Sequence, residues 1–142
     1  MSTIKIMIKH GQFCWQELAT DDLEGAKNFY REMFGWNIKA GGGEGAVMEY
    51  SEFQLGDDYP MGGMYQMPPE MKAPPHWIGY VSVDDVDASA AKAAELGGNV
   101  VVPPMDIPKV GRFAVVADPS GAVFSMVTLT SAHITEEHGE AE

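Results

Sequence analysis

The stretch DDLEGAKNFYREMFGWN from Asp21 returns about 63 residues later as DDVDASAAKAAELGGNV from Asp84. A chain that writes one helix twice is constrained to a duplicated unit. In the first copy Leu23, Ala26, Phe29, Tyr30, Met33 and Phe34 recur at the three- and four-residue spacing of one helical face. Asp21 stands as an N-cap with Glu24 three positions on, as in a capping box, and Gly35 stands where a helix stops. The spacing predicts a helix over about 22–34. In the second copy Val86, Ala90, Ala93, Ala94 and Leu96 form the face, Asp84 or Asp85 the cap, and Gly97 with Gly98 the stop.

Strand-like runs flank each helix in the same order. FCWQELAT precedes the first, and WNIKA, AVMEYSEFQL and PMGGMYQM follow it; WIGYVSV precedes the second, and NVVVPP, RFAVVA and AVFSMVTL follow it. Each copy therefore reads βαβββ, and the chain is α+β. Between the copies, PPEMKAPP from Pro68 is too rich in proline to continue a ladder. The expected organisation is an N-terminal arm over 1–10, a first unit over 11–67, a linker over 68–75, a second unit over 76–130 and an acidic, disordered tail over 131–142. One unit alone cannot cover both faces of its sheet, so the two depend on each other or pair across a dimer.

Composition narrows the function. A chain of 142 residues suits one globular domain, and no apolar run approaches the ~20 residues of a membrane span. The N-terminus lacks the marks of a secretory signal, and the single cysteine, Cys14, excludes an internal disulfide; both point to the cytoplasm. Cys14 reads as a small apolar strand residue. A net charge of −12 repels phosphate backbones and anionic membrane surfaces, so neither nucleic acid nor a membrane is an expected partner. No phosphate loop, G-x-S-x-G, C-x-x-C or dinucleotide fingerprint occurs, and GGGEG at Gly41 reads as a hairpin turn.

Two βαβββ units, FYREMFGW closing the first helix and DPSGAVFSM entering the last strand resemble the vicinal oxygen chelate superfamily, the group of glyoxalase I, bleomycin-resistance proteins and extradiol dioxygenases. The likeness covers about 11–130. It implies a paired-unit fold whose curved mixed sheets form a cleft, and a homodimer. Metal-dependent members place His or Glu ligands on the first and last strands of each unit. The matching positions here are Trp15, Ile78, Ser125 and one among Gly62, Gly63 and Met64. A catalytic divalent metal needs about three His, Glu, Asp or Cys donors, which these residues do not supply. The ancestral metal site therefore reads as absent, and no cofactor is expected.

Strand alternation sets Trp15 with Glu17, Ile78 with His76 and Tyr80, and Val123 with Ser125 on the ligand face, leaving Cys14, Gln16 and Leu18 for the helix side. Such a wall is aromatic and apolar with a few polar groups, suited to a small organic molecule. A carboxylate there is costly to keep charged, so Glu17 is a candidate acid or base, a ligand hydrogen-bond acceptor, or a structural partner of Arg112 or a tyrosine. Tyr80 is the other candidate catalytic group. Trp15 either stacks on a ligand or packs the core. Arg112 either meets a ligand carboxylate or Glu17, or is exposed. Met61, Met64, Met67 and Met71 line a hydrophobic pocket or fill ordinary core. His76 reads as a ligand contact or as solvated, and Asp118 as a turn residue.

The leading expectation is a metal-free binder of a small apolar or aromatic ligand, through Trp15, Glu17, Met64, His76, Ile78, Tyr80, Arg112 and Ser125. Its alternative is a lyase, isomerase or dioxygenase acting on a small carbonyl or aromatic substrate, metal-free through Glu17 or with displaced metal ligands. A third reading has the cleft filled by side chains and the protein acting through partners.

Overall fold

A helix that leaves one strand and returns three strands later forces first and last strands to run parallel, and both halves of the chain do this. The structure is a computed structural model and describes residues 8–40, 50–108 and 110–130. The hairpin expected at Gly41, the tail and most of the N-terminal arm lie outside the described residues. Among those described there are eight strands and two helices.

The chain's contacts group Trp15–Gly79 into one unit and Tyr80–Glu142, with Met1–Cys14, into another. The segment before Trp15 joins the latter through backbone bonds: the Gly11 amide donates to the Ser82 carbonyl (2.7 Å), and the Ser82 amide to the Gln12 carbonyl (2.8 Å).

In the Trp15–Gly79 unit the elements are β1 (Phe13–Thr20), α1 (Leu23–Phe34), β2 (Asn37–Ala40), β3 (Tyr50–Gln54) and β4 (Gly62–Gln66). The strand order is β2-β3-β4-β1, with β1 and β4 parallel and the other pairs antiparallel. The cap of α1 is Asp22, one residue beyond the expected Asp21, and its side chain accepts from the Gly25 amide at 3.0 Å. Two adjacent aspartates offer the same chemistry; the one whose oxygen reaches an open amide of the first turn becomes the cap. Gly35 ends the helix in the left-handed conformation, φ 71°, its amide bonding back to the Arg31 carbonyl.

Leu18, Leu23, Phe53 and Met64 form the buried core under α1, with Ala26, Tyr30, Trp36, Ile38 and Met61 packed around them. The apolar stripe read from the sequence is wider than what the sheet covers. At about 100° per residue, Leu23, Ala26 and Tyr30 point to the core, while Phe29 and Met33 fall to one side and stay exposed.

The Tyr80–Glu142 unit repeats the plan with β5 (His76–Ser82), which starts before the division at Tyr80, α2 (Val86–Glu95), β6 (Asn99–Ile107), β7 (Gly111–Ala117) and β8 (Val123–Leu129), in the order β5-β8-β7-β6. Again the first and last strands are parallel and the rest antiparallel. Strand β6 runs through Pro103 and Pro104 as far as Ile107, past the expected end, because it has β7 as its sole neighbour in that order and proline is tolerated on an edge strand. Asp85 caps α2, accepting from the amides of Asp87 and Ala88. The core under α2 is Val83, Val86, Ala90, Ala114, Val116 and Met126. No described helix is long and apolar enough to cross a membrane.

Met64 has no solvent exposure. Met64→Ala is expected to lower stability by about 2–5 kcal/mol in urea denaturation; a loss below about 1 kcal/mol would mean that the site collapses around the gap or that Met64 is not core.

Candidate functional site

Each strand of a unit presents alternate residues to its helix and to the opposite face, so the cores identify the opposite face by elimination. In the Trp15–Gly79 unit Leu18, Met64 and Phe53 go to the helix. The neighbours Trp15 and Glu17 on β1, Gly63 and Tyr65 on β4, and Tyr50 and Glu52 on β3 share the other side. Register places Glu17 opposite Gly63, and Gly63 in turn opposite Glu52.

On this face one phenol joins two of the expected site residues. The Trp15 indole Nε1–H donates to the Tyr50 hydroxyl at 2.8 Å, and that hydroxyl donates to Glu17 Oε2 at 2.9 Å. Tyr50 therefore acts as acceptor and donor at once, which fixes the direction of its proton towards the carboxylate. Gly63 is what allows the phenol to lie there: a Cβ at that position would collide with the Tyr50 ring and hydroxyl. The Tyr65 phenol is pushed above the usual tyrosine range, first by burial and then by the negative charge of Glu17.

Tyr50 was missed in the sequence reading. Its signal lay in YSEF, where alternation pairs Tyr50 with Glu52 and Ser51 with Phe53. Without the sheet register nothing said that Tyr50 would reach β1.

In the Tyr80–Glu142 unit the paired positions are Tyr80 on β5 and Ser125 on β8. Both are buried, and the Ser125 hydroxyl has no hydrogen-bond partner among the described residues. Ile78, two residues before Tyr80 on the same strand but within the Trp15–Gly79 unit, is half-buried.

Three of the expected ligand contacts are placed differently. Met64 sits in the core on the helix side, because the last-strand position opposite Glu17 is Gly63; the glycine pair had left that register open by one residue. Arg112 does not meet Glu17. Its Nε and Nη2 grip both oxygens of Asp87 on α2 at 2.8 and 3.0 Å, and its Nη1 reaches Asp106 at 3.0 Å. It is a staple between helix and sheet, and the guanidinium holds the Asp87 carboxyl below the usual range. His76 is exposed, with Nδ1 bonded to the Pro74 carbonyl at 2.8 Å. A concavity of about 480 Å³ beside Asp106, Gly111, Arg112 and Thr128 is open to solvent, and its one guanidinium is already bound by two carboxylates.

Burial raises the Cys14 thiol to about 11, so it is overwhelmingly protonated at neutral pH and is not a nucleophile. Asp118 accepts from the Ser120 and Ala122 amides and from the Ser120 hydroxyl, which is the work of a turn residue. Among the described residues no three His, Cys, Asp or Glu side chains cluster closely enough to hold a metal ion. At the paired strand positions the side chains are a carboxylate and a glycine in one unit, a phenol and a hydroxyl in the other.

The Glyoxalase/Bleomycin resistance protein/Dioxygenase superfamily profile matches residues 10–126. The chain belongs to this superfamily. It is 43% identical over 122 residues to the Mycobacterium tuberculosis protein "Putative glyoxylase CFP32", covering 82% of this chain and 44% of that protein. It is 37% identical over 123 residues to the anthracycline biosynthesis protein DauV of Streptomyces sp., covering 87% and 43%. The chain thus spans less than half the length of the curated relatives it matches.

Among solved structures, Streptomyces coelicolor methylmalonyl-CoA epimerase, a variant in complex with 2-nitronate-propionyl-CoA, has a TM-score of 0.63 at 18% identity, over 86% of this chain and 99% of that one. Mycobacterium tuberculosis methylmalonyl-CoA epimerase has 0.60 at 13%, over 88% and 93%. These likenesses show the fold.

Replacing Glu17 with Gln removes its charge and leaves the burial of Tyr65 nearly unchanged. The Tyr65 phenol, followed by NMR-assigned titration, should then ionise at lower pH than in the wild type yet still above an ordinary tyrosine. An unchanged titration would place Glu17 out of electrostatic reach of that ring.

Proposed function

We propose that this superfamily member is a metal-free protein that binds a small apolar or aromatic molecule and works as a cytoplasmic homodimer. The observation that carries the reading is the Ser125 hydroxyl, buried and without a hydrogen-bond partner among the described residues. A buried polar group left unsatisfied costs on the order of 1–3 kcal/mol, and a ligand atom that bonds to it recovers that cost. Opposite it in the register Tyr80 supplies a phenol that orients a polar group on the ligand. Within the Trp15–Gly79 unit, taken by itself, Trp15 offers a flat face and Glu17, aimed by Tyr50, a hydrogen-bond acceptor. The donor set at the paired strand positions supports the metal-free part of the reading.

A second reading is favoured by the hydrogen bond from Tyr50 to Glu17. A carboxylate held by a phenol in a half-buried, aromatic setting is equipped to take a proton from a carbon next to a carbonyl. The carboxylate gains the proton while the electron pair moves onto the carbonyl oxygen, and return of the proton to the same or a different carbon completes an isomerisation. The mycobacterial relative, a putative glyoxylase, and the epimerases among the structural neighbours accord with an enzyme on this fold; the fold itself serves binders and enzymes alike.

Native mass spectrometry and elemental analysis of protein purified without added metal test the first reading. The expected result is no stoichiometric transition metal and a retained organic mass, whose occupancy falls in Ser125→Ala while circular dichroism stays unchanged. About one metal per chain, or an occupancy indifferent to that substitution, would overturn it. If instead a carbonyl substrate is turned over and Glu17→Gln abolishes turnover with the fold intact, the second reading replaces the first.

A further inference from the structure

Six rings of the Trp15–Gly79 unit make one connected cluster that begins in the core and ends in solvent. Phe53 is buried at its base, and Trp36 stacks on it with centroids 4.2 Å apart and planes 8° from parallel. Tyr30 stacks on Trp36 at 5.2 Å, and Trp77 stands edge-on to Tyr30, Trp36 and Phe53. Phe29 meets Tyr30 edge-on at 5.0 Å, and Phe34 lies against Tyr30 and Trp36. The outer members are open to solvent: Phe29 is 55% exposed, Phe34 56%, Trp77 40%, and Met33, one helical turn after Phe29, 56%.

We propose that this patch is the surface through which two copies of the chain pair about a two-fold axis, α1 against α1. The proposal rests on the homodimer reading above and names its interface. Size is the first argument. At these exposures the four side chains leave roughly 400 Å² of apolar surface open, as much as the largest patch on a typical monomer. A standard interface buries ~800 Å² on each partner, a little over half of it apolar. The patch therefore supplies most of the apolar area that one side of a stable dimer needs. A two-fold contact uses the same patch twice, so no second surface is required.

Charge is the second argument. The chain carries −12, so two copies repel over most orientations of approach. Helix α1 adds nothing to that repulsion: its charged residues are Glu24, Lys27, Arg31 and Glu32, two of each sign, and Lys27 is already paired with Glu24 at 3.2 Å. The exposed rings thus sit on a locally neutral helix within an acidic protein. Exposed rings already packed against Tyr30 and Trp36 lose little freedom on burial, which favours pairing here over a mobile surface.

Sedimentation velocity on the full chain at micromolar concentration tests the assignment. The wild type should sediment near twice the 15.4 kDa chain mass. Phe29→Asp and Phe34→Asp should each weaken pairing at least about 30-fold, the loss typical of a central interface anchor. Leu96→Lys, at an equally open apolar residue of the other unit, should leave pairing unchanged. If Phe34→Asp disturbs the cluster itself, as circular dichroism would reveal, Phe29→Asp decides. A wild type that stays monomeric overturns both the homodimer and this surface. A dimeric wild type whose pairing both substitutions leave intact overturns the surface alone and leaves the homodimer standing.

Discussion

The parallel pairing of first and last strands is the constraint on which each unit depends. Antiparallel neighbours need only a turn, whereas β1 and β4 meet across a helix and a hairpin, and the register they adopt decides what every other residue of the unit faces. With Leu18 opposite Met64, the helix receives an apolar floor and Glu17 is delivered to the far side opposite Gly63. A slip of one residue would send Glu17 under α1 and put Leu18 on the open face. The same logic in β5 and β8 sets Val81 opposite Met126 on the helix side and Tyr80 opposite Ser125 away from it. Core and candidate site are two sides of one hydrogen-bonded register.

Much of this was legible in the sequence because it is local. Helix stops at Gly35 and Gly97, strand runs such as FCWQELAT, and the alternation that puts Trp15 with Glu17 all follow from spacing within ten residues or so. What the sequence left open depends on contacts between distant residues. Choosing Gly63 over Met64 as the partner of Glu17 needs the length of the path from β1 to β4, and that path includes a loop whose length differs between the copies. Arg112 was legible as a cation on a strand, but its partner Asp87 lies 25 residues earlier and on the helix, a pairing that only the packing of α2 on β7 produces. Tyr50 went unnoticed for the same reason, being 33 residues from the carboxylate it holds.

The two copies have kept the register and changed the side chains. Where one unit has Glu17 opposite a glycine, the other has Tyr80 opposite a serine. The consequences differ in kind. The vacancy left by the glycine is taken by Tyr50, whose ring would have nowhere to go if position 63 carried a Cβ, so the carboxylate there is oriented and hydrogen-bonded from within. No comparable group satisfies Ser125 among the described residues, and its hydroxyl keeps an unused donor and acceptor. A carboxylate accepts only, whereas a hydroxyl does either. The first position therefore answers only a donor, and the second answers either sort of atom.

The helices diverge in parallel with the strands. Helix α2 is built of alanine and short residues and buries Val86 and Ala90, with the Arg112–Asp87 grip adding a polar fastening at its first turn. Helix α1 buries Leu23 and carries rings instead. Its stripe is broader than one sheet can cover, and the surplus is not scattered: Phe29, Met33, Phe34 and Trp77 stand together on rings that reach down to Phe53. Isolated exposed apolar residues need no explanation, but a contiguous patch anchored in the core does. Fixing Trp36 between Tyr30 and Phe53 serves the core; leaving the outer rings preorganised and open serves contact with something beyond the unit, and the duplicate helix, lacking those rings, has no such surface to offer.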